Sequence, residues 1–284
     1  MTDQNINLLN STDQNWSLVD LELKKIVKNK IKKILLISPP QFQTSFIDLE
    51  ILKNKRYFNY PPYGLGLLRK SLIDKGCEVK ILDLNYELLS LANRFVENPK
   101  NLNSYMKKNK ISSDENKNYI NNEYDEKSFK LFENKTIQAI PIEDLMIPKL
   151  DETIKNFMPD LVGVTCMFTM THTRMVRIAQ RIKEHSKDIV IFAGGVHPTS
   201  SAELILKEEK SINFISLYEG DQSIPQLIDY FNKKNNDIKS LRQIGILINN
   251  KYYQTDGRIH PEGKYLNIKP DYGDLKLEKY SIYD

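Results

Sequence analysis

Short, continuous apolar runs are the feature of this sequence that most limits its fold. The clearest are ILLIS at 34–38, DLVGVTC at 160–166 and DIVIFAGG at 188–195. Such runs suit strands that are buried on both faces, as in parallel sheets. CEVKILDLN at 77–85 and INFISLYEG at 212–220 predict two further strands.

Segments with helical periodicity separate these strands. They predict helices over 61–76, 143–157, 171–185, 200–209 and 223–234. Strands that alternate with helices imply right-handed crossovers and a parallel sheet covered on both faces. We therefore expect an α/β fold with a doubly wound, five-stranded parallel sheet in the flavodoxin-like order 2-1-3-4-5.

The chain divides into three parts on this reading. Residues 1–30 form a loose polar arm that ends in a short helix, and residues 31–235 form the α/β domain. Residues 236–284 carry a β-hairpin over 243–257, turning at Asn249-Asn250, and then a linker. A polar, asparagine-rich insertion at 92–142 is expected to be partly flexible and therefore sensitive to proteases.

Composition excludes several classes of protein. The 41 basic and 37 acidic residues nearly balance in 284 residues, so no nucleic-acid surface is expected. The two cysteines, Cys77 and Cys166, suggest no disulfide framework. No apolar run approaches the roughly 18 residues of a membrane span, and the polar N-terminus lacks a signal-peptide core. A cytoplasmic protein is the simplest expectation.

Four short segments directly follow predicted strands and should gather at one edge of the sheet. They are SPPQFQT at 38–44, TCMFTMTHT at 165–173, GGVHPT at 194–199 and YEGDQS at 218–223. Ligands of open α/β sheets bind beyond the carboxyl ends of the strands. Gly194 and Gly195 would let the backbone approach a ligand closely. The alternative is that the glycine pair only makes a tight strand–helix turn.

Familiar ligand motifs match poorly. Gly64 and Gly66 lie too far from the first strand and lack the third glycine of a dinucleotide site. A Walker A loop is absent, and the loop after the first strand is not that of a flavodoxin. The four histidines lack ligand spacing, so no metal site is predicted. Cys166 is interpreted as an inert core thiol, and Arg69 and Arg174 are placed on solvated helix faces.

Taken together, the strand-end motifs resemble the N-terminal cobalamin-binding domain of cobalamin-dependent radical SAM proteins. The motifs are SPP (38–40), YPPYGLGLL (60–68), Asp83-Leu84-Asn85, PDLVGVT (159–165), GGVHPT (194–199), YEGD (218–221) and Pro270-Asp271-Tyr272. The resemblance covers about residues 32–284. Two positions depart from it, because Tyr218 replaces the family's first glycine and Asp221 its last glutamate.

The resemblance implies a cobalamin site. The residues it assigns to cofactor binding are Ser38, Pro39, Pro40, Gln41, Thr165, Cys166, Met167, Thr169, Gly194, Gly195, Val196, His197, Pro198, Thr199, Glu219, Gly220 and Asp221. The loop after the first strand has no histidine, which implies base-off binding without a histidine ligand to cobalt. The nucleotide tail would thread between strand ends, with the corrin over the rim. His197 is expected to contact backbone or a corrin amide rather than cobalt.

The family's usual reaction is methyl transfer from S-adenosylmethionine, via methylcobalamin, to an unactivated carbon. The complete enzyme would add a [4Fe-4S] cluster and S-adenosylmethionine. This chain lacks the cysteine triplet of that cluster, so it should not catalyse alone. A radical SAM domain is expected as its partner, in cis or in trans, with an unknown small-molecule or peptide substrate. A corrinoid carrier or sensor without catalysis, and a flavin- or nucleotide-binding domain, remain alternatives.

Overall fold

The structure is a computed structural model that describes residues 7–9, 15–42, 46–48, 52, 59–98, 100–109, 139–259 and 268–280. The strands are β1 (Asn7–Leu9), β2 (Lys33–Ser38), β3 (Phe46–Asp48), β4 (Glu78–Asp83), β5 (Ala139–Pro141), β6 (Leu161–Thr165), β7 (Val190–Gly194), β8 (Phe214–Ser216), β9 (Ile244–Ile248) and β10 (Lys251–Thr255). The helices are α1 (Trp16–Ile26), α2 (Tyr63–Ile73), α3 (Leu84–Glu97), α4 (Lys100–Lys108), α5 (Ile142–Phe157), α6 (His172–His185), α7 (Val196–Ser200), α8 (Ala202–Glu208) and α9 (Gly220–Phe231).

Five parallel strands form one side of the main sheet, starting from its edge strand β4, in the order β4-β2-β6-β7-β8. Numbered along the chain, this is the predicted order 2-1-3-4-5, and the predicted fold class is confirmed. The sheet then continues through β9, which is antiparallel to both β8 and β10, and ends at β1, which pairs in parallel with β10. Strands β3 and β5 form a separate antiparallel pair that the sequence did not predict.

The sheet is buried on both faces because alternate residues of each apolar strand enter different clusters. In β2, Leu35 and Ile37 join the cluster covered by α3, α5, α6 and α8. Ile34 and Leu36 join the opposite cluster, covered by α1, α2 and α9. This two-sided burial explains the continuous apolar runs of the sequence.

Helical structure begins sooner after β7 and β8 than the sequence predicted. Helix α9 begins at Gly220 rather than Ser223, so most of YEGDQS belongs to the helix. The stretch GGVHPT, expected as a loop, is largely the short helix α7. The strand predicted over 77–85 ends at Asp83, whose carboxylate caps α3 by accepting a hydrogen bond from the Tyr86 backbone N–H at 3.2 Å.

The hairpin and the arm both attach to the sheet. Asn249 and Asn250 turn the hairpin with φ of 49° and 65°, the left-handed conformations that a tight two-residue turn requires. The short helix expected in the arm is α1, but Trp16, Val19 and Leu23 are buried against the sheet, so α1 is not loose.

Most of the predicted insertion, 110–138, lies outside the described residues. Among the described helices, none combines the length and apolarity needed to cross a membrane.

Candidate functional site

A cleft of about 220 Å³ opens at the carboxyl edge of the parallel strands, between the sheet and α2. Strands β2, β6, β7 and β8 end at its base, and the segments that follow β6, β7 and β8 form its walls. The lining residues are Leu36, Gly64, Leu65, Leu67, Leu68, Gly163, Val164, Thr165, Met167, Phe192, Gly194, Gly195, Ser216, Tyr218, Glu219, Gly220 and Asp221. Such a crevice is where open α/β sheets hold their ligands.

The structure brings part of the predicted site to this cleft. Thr165, Met167, Gly194, Gly195, Glu219, Gly220 and Asp221 line it. The other predicted residues that follow β6 and β7 are not among the residues that line the cleft. They are Cys166, Thr169, Val196, His197, Pro198 and Thr199.

The predicted residues after β2 do not line the cleft. Ser38, Pro39 and Pro40 are buried, while Gln41 is exposed and its backbone N–H donates to Asn85 Oδ1 at 2.9 Å. Arg174 donates to the carbonyl of Phe42 at 2.5 Å, and burial lowers the pKa of its guanidinium. The placement of Arg174 on a solvated face was therefore wrong, since it holds this loop.

Glycines allow the segments around the cleft to approach one another. Gly195 has a φ of 107°, and a Cβ there would lie 2.8 Å from the carbonyl oxygen of Cys166. A Cβ on Gly163 would lie 2.4 Å from the Phe192 ring, so this strand glycine makes room for an aromatic side chain beneath the cleft. Gly195 was predicted from the sequence and Gly163 was not, although a glycine inside a strand signals close approach.

Ser216 is the clearest site residue that the sequence analysis missed. It ends β8, lines the cleft and is only 2% exposed. Its hydroxyl has no hydrogen-bond partner within the described chain. Because a buried polar atom without a partner is costly, this hydroxyl suits a ligand that supplies the missing hydrogen bond. A serine inside an otherwise apolar strand was its only sequence signal.

A network of hydrogen bonds fixes the segments after β6 and β7. The Cys166 backbone N–H donates to the carbonyl of Gly194 at 2.8 Å, and the His197 backbone N–H donates to the carbonyl of Cys166 at 3.2 Å. The Cys166 thiol is buried beside Thr171, and burial raises its pKa. A thiol in this state is a poor nucleophile, as expected from the sequence.

His197 is occupied by protein partners at both ring nitrogens. Its Nε2 lies 3.0 Å from Nδ1 of His172, and its Nδ1 lies 3.3 Å from the hydroxyl of Thr169. Burial and the neighbouring His172 lower the pKa of His197. Among the described residues, no group of three or more His, Cys, Asp or Glu side chains could hold a metal ion.

Exposed apolar side chains follow two of the strands that end at the cleft, and one of them, Met167, lines it. Met167, Phe168 and Met170 follow β6, and Val196 follows β7, each between 44% and 62% exposed. Apolar groups clustered in this way at a cleft mark a binding surface more often than a solvated one.

Comparison with known protein families gives a match to the central part of the chain. Residues 132–228 match the B12 binding domain family. The matched segment contains the three polar segments that border the cleft, after β6, β7 and β8. The resemblance to cobalamin-binding domains is thereby confirmed for this part of the chain.

Two proteins are similar in sequence to about half of this chain. An uncharacterised methyltransferase of Pyrococcus horikoshii is 25% identical over 145 residues, which are 49% of this chain and 30% of that protein. The anaerobic magnesium-protoporphyrin IX monomethyl ester cyclase of Rubrivivax gelatinosus is 30% identical over 143 residues, which are 48% of this chain and 25% of that protein. This chain therefore aligns with less than a third of either relative.

Solved structures with a similar arrangement include two enzymes. The cobalamin-dependent S-adenosylmethionine radical enzyme OxsB, with aqua-cobalamin and S-adenosylmethionine bound, gives a TM-score of 0.48 at 13% identity, covering 81% of this chain and 23% of its own. The radical S-adenosylmethionine methyltransferase TsrM of Kitasatospora setae, with cobalamin and a [4Fe-4S] cluster, gives 0.46 at 16% identity, covering 78% of this chain and 30% of its own.

Proposed function

We propose that this chain binds cobalamin, with the nucleotide tail in the cleft and the corrin over its rim. The observation that carries the proposal is the Ser216 hydroxyl, which is buried in the cleft and has no hydrogen-bond partner among the described residues. The B12-binding match over 132–228 gives the ligand class.

The residues present fit the two parts of this cofactor. The tail is narrow and rich in hydrogen-bonding atoms, and the cleft offers it the glycine backbones at 194, 195 and 220 with the hydroxyls of Thr165 and Ser216. The corrin is a broad, largely apolar disc with polar amides at its edge. The exposed side chains of Met167, Phe168 and Met170 offer an apolar surface for such a disc.

We further propose that cobalt receives no histidine from this chain. The buried loop Ser38-Pro39-Pro40 contains none, and His197 is held by His172 and Thr169. A ligating role would require His197 to give up one of these contacts. We therefore expect the base-off form.

The bound cofactor supplies a cobalt centre that can carry a methyl group. The chain's part is to bind the tail, position the corrin at the strand ends and exclude water from the buried side of the cleft. Cys77 and Cys166 are both buried and are too few for a three-thiolate cluster. We therefore assign the radical SAM chemistry, and the methyl transfer that the sequence resemblance implies, to a domain supplied in cis or in trans.

The test is an absorbance spectrum of the purified protein after anaerobic incubation with hydroxocobalamin and desalting. We expect a retained, near-stoichiometric corrinoid with a base-off spectrum. A folded protein that stays colourless would contradict the proposal, and one that instead retains flavin would favour the doubly wound flavin-binding alternative. A base-on spectrum would leave corrinoid binding intact and remove the proposed binding mode.

A further inference from the structure

Tyr218 has an unusual backbone conformation at the edge of the cleft. It follows β8 with a φ of 55°, in the left-handed region that glycine and asparagine favour. A bulky side chain in this conformation is strained, and such strain persists only where surrounding contacts impose it. The side chain lines the cleft and is 42% exposed.

Three contacts impose the conformation. The Tyr218 backbone N–H donates to the hydroxyl of Thr199 at 3.0 Å. The side-chain amide of Gln243, which is fully buried, donates to the carbonyls of Leu217 and Glu219 at 3.0 and 3.1 Å, on either side of Tyr218. The segment 217–219 is therefore held from two directions.

The ring itself is also held. The guanidinium of Arg258 lies 4.7 Å from the ring centroid, in a cation–π arrangement. Arg258 is in turn fixed by two hydrogen bonds to the carboxylate of Glu219, one of 3.1 Å from Nε. The ring of Tyr218 thus contacts the Arg258 guanidinium, and Tyr218 also lines the cleft.

We propose that Tyr218 is a specificity residue that stacks on the aromatic base of the corrinoid's nucleotide tail. This inference rests on the proposed function and deepens it. A glycine would satisfy the backbone without strain. The contact with Arg258 gives the aromatic ring one partner, and a planar ligand group entering the cleft that Tyr218 lines would be a second. Tyr218 selects corrinoids that carry a base over corrinoids that lack the tail.

The test compares hydroxocobalamin with diaquacobinamide, which has the same corrin but no nucleotide tail. Dissociation constants are measured by absorbance titration for wild type, Tyr218→Gly and Tyr218→Phe. We expect Tyr218→Gly to weaken cobalamin binding by about two- to tenfold, as for loss of an aromatic pair, and to leave cobinamide binding unchanged. Tyr218→Phe keeps the ring and should keep the preference for cobalamin.

Two controls separate the ring's role from damage to the fold. Tyr218→Gly relieves backbone strain, so its melting temperature without ligand should equal or exceed that of wild type. Leu204→Ala removes a side chain of similar exposure, 55%, that lies on α8 and does not line the cleft, and should change neither dissociation constant.

Each outcome decides between the proposals. If Tyr218→Gly binds both corrinoids as wild type does, or loses both equally, the stacking role is wrong while corrinoid binding stands. If Tyr218→Phe loses the preference as Tyr218→Gly does, the hydroxyl rather than the ring is responsible, and stacking is again wrong. If wild type binds neither corrinoid, the proposed function and this inference both fail.

Discussion

Gly195 combines two constraints at one residue. Its φ of 107° lies in a region that L-residues rarely adopt, and an added Cβ would approach the backbone of Cys166. The sequence analysis left open whether the glycine pair served a ligand or only a turn. Gly195 makes the turn before α7 and also lines the cleft, so the turn is confirmed and the contact with a ligand stays a prediction.

We predict that Gly195→Ala destabilises the protein by roughly 1–3 kcal/mol or more. The alanine would be strained at this φ, and its Cβ would clash with the backbone of Cys166, which cannot move aside easily. Urea denaturation measures this loss. The matched control is Gly64→Ala, where a Cβ meets nothing within 4 Å inside a helix. This control should be neutral or slightly stabilising, because alanine favours a helix over glycine. Equal stability of Gly195→Ala and wild type would contradict the argument.

His197 allows a second prediction at the residue scale. If no histidine ligates cobalt, His197→Ala should leave the absorbance spectrum of bound corrinoid unchanged, because the replaced ring only loses its contacts with His172 and Thr169. His172→Ala is the companion variant and should behave alike. A shift of the cobalt bands in His197→Ala alone would show that the imidazole reaches the metal when the cofactor is bound.

At the scale of elements, residues 268–280 form a strap that runs across α2 to the end of β4. The Asp271 backbone N–H donates to the carbonyl of Gly66 at 3.0 Å, and its carboxylate pairs with Arg69. Tyr280 ends the strap, where its ring stacks on Tyr86 with centroids 4.7 Å apart. Arg69 thus holds the strap rather than lying on a solvated face as the sequence suggested.

Gly66 determines how closely the strap lies on α2. A Cβ on Gly66 would be 2.8 Å from Cβ of Pro270, whereas a Cβ on Gly64 would meet no described atom within 4 Å. We predict that Gly66→Ala loosens the strap, so trypsin should cut at Lys276 and Lys279 faster than in wild type. Gly64→Ala should leave the cleavage rate unchanged. Mass spectrometry of the fragments measures both, and equal rates in all three proteins would contradict this contact.

The junction of strap, β4 and α3 contains a buried acid. Asp83 is 2% exposed, and burial raises its pKa from 3.8 to about 6, although the Tyr280 hydroxyl donates to it at 2.9 Å. Between these two pH values the folded protein holds a proton that the unfolded chain has lost. Stability contributed by Asp83 is therefore full below the lower value and is lost as pH rises through the higher.

We predict that Asp83→Asn gains stability relative to wild type between pH 4 and pH 8, by up to about 3 kcal/mol. The amide oxygen can still cap α3, and other titrating groups cancel in the difference. Urea denaturation at several pH values gives the comparison. Tyr280→Phe should extend the decline to higher pH, because the hydrogen bond that lowers the Asp83 pKa is gone. A difference between Asp83→Asn and wild type that does not vary with pH would contradict the raised pKa.

At the scale of the whole molecule, the sequence predicted the elements that are encoded locally. Apolar runs such as 34–38 and 188–195 gave the parallel strands, and Asn249-Asn250 gave the hairpin turn. It did not predict contacts made between distant segments. The Ser216 hydroxyl in the cleft and the clamp by Gln243 depend on three-dimensional neighbours, which periodicity along one segment does not encode.

Packing of the arm is the main long-range contact that the sequence analysis missed. The proposed division at residues 30 and 235 treats arm, α/β domain and hairpin as separate parts. Yet Trp16 and Leu23 of α1 share one buried cluster with Phe214 of β8 and Ile246 of β9. Because these parts have one common core, we propose that they unfold together as a single cooperative unit.

The chain's single tryptophan makes this proposal measurable. Trp16 is 3% exposed, so its emission should shift to the red when α1 leaves the sheet, while far-UV circular dichroism follows the helices as a whole. We predict that both signals change at the same urea concentration. Leu23→Ala, which empties part of the shared cluster at a cost of about 2–5 kcal/mol, should lower both midpoints equally. If the fluorescence midpoint lies at a lower urea concentration than the circular dichroism midpoint in either protein, the proposal is wrong. The arm would then fold onto an α/β domain that is stable without it.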